Sequence, residues 1–274
     1  MDRKSAKSSP APWSDPQDEQ RRNAELATAD PVAGIPGPGR WLVVEYRPTA
    51  LFSLKISLAT SSVGKTLVVP TPYAIKMAFV DAAFRAGLSA DDCAECLRLL
   101  VGISIRIAPP QAAVVTHTFV KIRQEPHDPR ENLLRPYIPS IAYREIVYCQ
   151  GSWRWAFDLA GGNDQLAERL VYIAPYVTYI GKRGSFIQYL GSQRLAKLGT
   201  DFTQPLENQT TFNLPPRAHI VPLDDFGPEA NLQALSSYTA DSVKRDKHRK
   251  FVNTLVPLGI VNTGPGFTEY RAGQ

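Results

Sequence analysis

Apolar patterning begins abruptly at residue 41. The run Trp41-Leu-Val-Val-Glu-Tyr46 reads as a strand, and residues 51–58 alternate apolar with polar, as a strand or an extended arm does. Pro70-Thr71-Pro72 then opens a helix over 73–86, in which Ile75, Ala78, Phe79 and Ala82 share one face and Gly87 supplies the stop. A second helix, capped by Ser89, runs to about residue 100. Strict alternation over 103–107 predicts a strand, and 114–122 predicts another. Residues 126–140 hold Pro126, Pro129, Pro136 and Pro139 and are expected to form an exposed loop. Segments 141–148 and 153–159 flank Cys149-Gln150-Gly151-Ser152 and read as a β-hairpin. A helix over 164–173 follows, then strands near 177–180 and 186–189. Beyond Thr200 prolines interrupt the pattern, and the basic stretch 244–250 is compatible with a helix.

This order predicts an α+β fold: a ferredoxin-like antiparallel sheet with helices on one face, an extended thumb-like hairpin at about 52–70 and an irregular C-terminal part. Residues 40–200 are expected to form that domain, and 201–274 an extension packing on it or on partners. A sheet of this kind has an open face, where RNA-binding domains of this shape often bind. Residues 1–39 are rich in Pro, Ser, Asp and Arg and are expected to be a disordered tail.

Charge narrows the partners. The 274 residues carry a net charge of +5, which suits an anionic partner without requiring one. No segment reaches the roughly 20 apolar residues of a membrane span, and no secretory signal precedes the fold, so a soluble cytoplasmic chain with no membrane partner is expected. Cys93 and Cys96 form a C-x-x-C without a second pair, and the four histidines are scattered, so no metal and no cofactor is expected.

The candidate chemistry lies in Gly181-Lys182-Arg183-Gly184-Ser185-Phe186. Glycines let backbone N–H groups approach phosphate, two cations neutralise it, and an aromatic ring offers a base a stacking surface. A glycine turn with solvated charges is the competing reading. Ala59-Thr-Ser-Ser-Val-Gly-Lys65-Thr66 nearly spells a phosphate-binding P-loop, but its lysine leads into an extended Pro70-Thr71-Pro72 rather than a helix, and Ala stands for the first glycine. It reads instead as a hairpin tip. Arg47, Lys55, Lys65 and Lys76 surround it, while Lys121, Arg123, Arg130, Arg135 and Arg144 come from the middle of the chain. Converged, these cations would line a groove, with Tyr46, Phe52, Tyr143, Trp153, Trp155 and Phe186 as stacking surfaces. His117 and Lys121 alternate on one strand and, with Tyr46, are the residue types a metal-free ribonuclease uses as base and phosphorane-stabilising cation.

Residues 50–59 (Ala-Leu-Phe-Ser-Leu-Lys-Ile-Ser-Leu-Ala), the run 66–72 and the helix from Tyr73 resemble the opening of the Cas-five family, RAMP-superfamily subunits of type I CRISPR Cascade effector complexes. Arg144-Glu-Ile-Val-Tyr148, the strand from Trp153 to Asp158 and the loop from Gly181 are similar to that family's later sheet and glycine-rich loop, so the likeness spans about 40–190. The resemblance implies a largely non-catalytic subunit that holds the 5′ handle of guide crRNA, caps the backbone filament beside the backbone and large subunits, and meets target DNA indirectly, through guide pairing. It also implies a thumb at 52–64. Within that role the candidate RNA contacts read from the residues are Arg47, Phe52, Lys55, Lys65, Lys76, Arg144, Lys182, Arg183, Ser185 and Phe186. Some members cut precursor crRNA, for which Tyr46, His117 and Lys121 are the available types. A protein-only scaffold with acidic partners is the third class.

Overall fold

Two side-chain caps start the helical layer. Thr71 accepts a hydrogen bond from the Ala74 amide at the head of α1 (Pro72–Arg85), where Pro72 costs nothing because a first-turn N–H has no helical partner. Ser89 does the same for Asp92 in α2 (Ala90–Val101), whose first turn carries Asp91 and Asp92 toward the positive end of the helix dipole. In α2 the buried residues are Cys93, Cys96, Leu97 and Leu100, one helical stripe. The C-x-x-C pair is therefore core, and burial pushes the Cys96 thiol up to about 11.

The computed structural model describes residues 39–56, 65–125, 137–159, 164–207, 215–236 and 243–273. Residues 1–38 of the expected tail, the thumb tip at 57–64, Arg130 and Arg135 lie outside them.

β1 (Trp41–Pro48) sits between β7 (Trp153–Asp158) and β8 (Ile187–Leu195), and β4 (Ile105–Ala108) pairs with β7, giving the antiparallel order β4-β7-β1-β8. With α1 and α2 between β1 and β4, and α3 (Asp164–Ile173) between β7 and β8, this is the expected ferredoxin-like β-α-β-β-α-β topology. Leu42, Val44 and Tyr46 of β1 share a core with α1, α2 and α3. Trp41 and Val43, on the opposite face, are also buried, under Phe202, Leu195 and Leu198. The open sheet face expected from the sequence is thus covered at this end.

Between β4 and β7 the chain makes a second sheet. β5 (Ala112–Gln124) and β6 (Ile138–Gln150) pair in unbroken register over thirteen residues each, so 138–140, expected in a loop, are strand. The expected hairpin of 141–148 with 153–159 does not form: β6 pairs with β5, and Gly151, at φ +95°, turns the chain out of this sheet into β7 of the first. Nor is the C-terminal part irregular. β12 (Leu258–Gly264) and β13 (Phe267–Ala272) extend the β5–β6 sheet in the order β12-β13-β5-β6. β10 (His219–Phe226) and β11 (Arg249–Val256), with β9 (Gln204–Pro205), form a third sheet. Residues 249–250 of the basic stretch are strand and the rest a turn, because Asp246 adopts φ 64° and the carbonyls of Lys247 and His248 are spent on Glu229 and Gly227. No helix among the described residues is long and apolar enough to cross a membrane.

Candidate nucleic-acid interface

Residues 181–186 form a tight hairpin tip. The Ile180 amide donates to the Ser185 carbonyl at 3.1 Å, the Ser185 amide to the Lys182 carbonyl at 2.9 Å, and Tyr179 bridges Phe186. The apolar run before the tip is not the expected strand. It is the end of α3, then a 3₁₀ turn at Ala174–Tyr176, and only Tyr179 pairs across. Lys182 and Arg183 stand exposed, and Phe186 is 53% exposed although its carbonyl is held by the Thr49 amide at the end of β1. A fixed carbonyl and a free ring make Phe186 a rigidly mounted stacking surface. Ser185 is buried, and its backbone closes the turn, so its hydroxyl does not face solvent as a phosphate ligand would. Of the two glycines only Gly181 is required by the geometry: its φ is +68°, and a Cβ there would stand 3.0 Å from Leu54 Cδ2. Gly184 has open space around it.

That contact with Leu54 joins the tip to the base of the expected thumb. Leu54 and Lys55 (β2) pair with Thr66 and Leu67 (β3), and the Ile56 amide donates to the Lys65 carbonyl. Thr66 Oγ1 accepts from the Leu54 amide at 2.8 Å, while the Thr66 amide donates to the buried Glu145 carboxylate at 2.8 Å, fastening the ribbon to β6. Lys55 and Lys65 are exposed on this ribbon. Four of the expected cations, Lys55, Lys65, Lys182 and Arg183, therefore come from two segments, the ribbon and the tip, that approach each other at Leu54 and Gly181.

The helical layer braces the tip from behind. Tyr179 donates to Asp81 of α1 at 3.1 Å, Arg85 pairs with Asp81 at 2.9 Å and lies 5.3 Å over the Tyr179 ring, and Arg85 Nη1 donates to Thr178. Burial and the bond to Asp81 raise the Tyr179 pKa, with Arg85 and Arg183 opposing. Arg85 and Tyr179 were not candidates in the sequence. A cation in the last turn of a helix is already explained by the helix dipole, so nothing marked Arg85 out.

Other expected contacts are not where an RNA can reach them. Phe52 is buried, bridging Val147 of β6 and packing edge-on against Trp153 at 4.9 Å. Trp153 and Trp155 are core as well. Lys76 is buried and ion-paired with Asp225 of β10 at 2.7 Å. Burial lowers the Lys76 pKa, with Asp225 opposing. Arg47 and Arg144 are half-buried on β1 and β6.

The three ribonuclease candidates do not assemble. Tyr46 is fully buried, packs against the Trp155 ring at 4.3 Å and donates to the Ala174 carbonyl at 2.8 Å; burial raises its pKa well above 10.0. His117 lies on β5, its Nδ1 3.8 Å from Glu145 and its ring stacked on Tyr143, and Lys121 is exposed four residues further along the same face. A phenol sealed under the helices cannot serve a phosphate bound at β5.

No family model matches the chain, and no curated protein matches it. Among solved structures it is similar to a CRISPR protein from Archaeoglobus fulgidus, with a TM-score of 0.44 and 12% identity over 85% of this chain and 92% of that one. It is also similar to a Csm3–Csm4 subcomplex of a type III-A CRISPR-Cas interference complex, with a TM-score of 0.34 and 9% identity over 85% of this chain and 96% of that one.

Proposed function

We propose that this chain is an RNA-binding subunit of a CRISPR ribonucleoprotein complex, and that it grips the 5′ handle of the guide crRNA without cutting it. The observation that carries the reading is the seating of the Lys182–Arg183 tip on Leu54, beside Lys55 and Lys65, with Phe186 held ring-outward at the tip's end. Cations from two neighbouring segments with one free aromatic ring suit a single-stranded backbone with a base stacked beside it. The Cas-five resemblance over 40–190 supplies the identity of that RNA and the role of filament cap, next to backbone and large subunits and with target DNA read through guide pairing.

Purified protein incubated with labelled repeat RNA in EDTA, at two salt concentrations, tests this on one gel. Binding that weakens with salt and leaves the RNA whole is expected. A single defined cut would replace the capping role by guide processing, and binding insensitive to salt would remove the phosphate-gripping role of the tip.

A further inference from the structure

β5 outruns its neighbour. β13 pairs with it from Ala112 to Thr116 only, and the last bond on that side is His117 N–H to the Gly266 carbonyl at 2.9 Å. β6 continues on the other side to Gln124, so among the described residues 118–124 of β5 have one paired edge and one open edge. The register with β6 is unbroken, so backbone groups alternate strictly between the two edges. His117 points its amide to the β13 side. The N–H and C=O groups of Phe119, Lys121 and Arg123 must therefore point the same way, where no strand meets them. The side chains of these three residues also share one face, on which Phe119 is 73% exposed, Ile141 of β6 is 68% exposed, and Lys121 and Arg123 are exposed.

An open edge of this length is a template for another strand. Its charge selects the occupant. Pairing the whole edge antiparallel with a second copy would set Lys121 opposite Lys121, a like-charge contact that disfavours self-association. Acidic side chains opposite Lys121 and Arg123, with an apolar one beside Phe119, match the exposed side chains of β5 on that face. A nucleic acid would stack on Phe119 but would leave the alternating backbone donors and acceptors unmet. We propose that residues 118–124 of β5 form a strand-addition site for an extended acidic segment of a partner protein. The site shares no residue with the Lys182–Arg183 tip and does not depend on the RNA-binding reading.

The test uses the full chain and a synthetic peptide that alternates threonine with two glutamates and a valine, followed by amide hydrogen exchange. The peptide is expected to slow exchange at Phe119, Lys121 and Arg123 by about tenfold or more while leaving Thr118, Val120 and Ile122, already bonded to β6, unchanged. A lysine version of the peptide has no such effect. Lys121→Pro removes an outward N–H without touching the β6 ladder, so it keeps the fold and abolishes the protection. Ile122→Pro breaks the ladder itself and serves as the folding control. Three results would overturn the proposal: slow exchange at all three edge amides in the free chain, full peptide protection in Lys121→Pro, or no protection at roughly 1 mM peptide. Single-stranded RNA that shifts the Phe119 ring signals where the peptide does nothing would overturn it as well, in favour of a stacking role.

Discussion

Lys76 and Asp225 meet at 2.7 Å inside the protein and tie α1 of the ferredoxin-like half to β10 of the C-terminal sheet. The lysine is completely buried, its ammonium 5.4 Å over the Phe226 ring. Burial lowers the pKa of Lys76 and raises that of Asp225, and in each case the partner resists the shift. Removing one charge leaves the other buried and uncompensated, which costs about 3–5 kcal/mol, whereas replacing both by apolar residues costs little. Lys76→Met is expected to lower stability by about 3 kcal/mol, and Lys76→Met with Asp225→Leu to recover most of it, as read by urea unfolding. Equal losses in the single and double variants would show that the pair is not coupled.

The two glycines of the 181–186 tip should separate cleanly. Gly181→Ala forces an alanine into φ +68° with its Cβ 3.0 Å from Leu54, and should cost about 1–2 kcal/mol. Gly184→Ala meets nothing and should fall within about 0.5 kcal/mol of the parent. Thermal unfolding of the two variants, side by side, checks this.

RNA binding should respond to the tip in two distinguishable ways. Lys182→Ala with Arg183→Ala removes two phosphate contacts, so the slope of log affinity against log salt should shrink by roughly 1.4, about 0.7 per contact on a single strand. Phe186→Ala should leave that slope alone and cost about 1–3 kcal/mol of affinity through lost stacking. Arg85→Ala, which loosens the brace on Tyr179, is expected to weaken binding less than either. Identical salt slopes in the parent and the double variant would remove Lys182 and Arg183 from the interface.

Tyr46 should behave as a structural residue. Tyr46→Phe removes one of two donors from the buried Ala174 carbonyl, which keeps the Val177 amide, so it should cost about 1 kcal/mol of stability or less, with RNA affinity unchanged. The pKa of this phenol is raised in the folded protein, first by burial and then by Tyr189. It therefore favours the folded state fully below the unfolded value near 10.0, and that contribution is lost as pH rises from there through the folded pKa. Alkaline unfolding of Tyr46→Phe should accordingly be less steep with pH than that of the parent.

Local elements were legible because their causes are local. Ser89 caps the helix it was expected to cap, the helix expected after Pro70-Thr71-Pro72 starts there, the helix over 164–173 lies where it was expected, and β1, β4 and β5 follow their apolar runs to within a few residues. The basic tip was also legible in part, since Lys182, Arg183 and Phe186 are exposed as glycine-flanked turn residues are expected to be.

Partnership was not legible, because it depends on which surfaces meet. Alternation reports that a strand has a buried face but not which strand lies beside it, so β6 was joined to β7 in expectation and is paired with β5 in fact. Phe52, Tyr46 and Lys76 have the composition of an RNA interface, yet packing on Trp153, Trp155 and Asp225 makes them core. The sequence by itself determined where the capped helices and the strands β1, β4 and β5 lie and which turn carries bare cations, since capping, periodicity and glycine act within a few residues. Only the tertiary structure decided which cations are buried and which stay exposed, because burial is settled by contacts between segments far apart in the chain, such as Lys76 with Asp225.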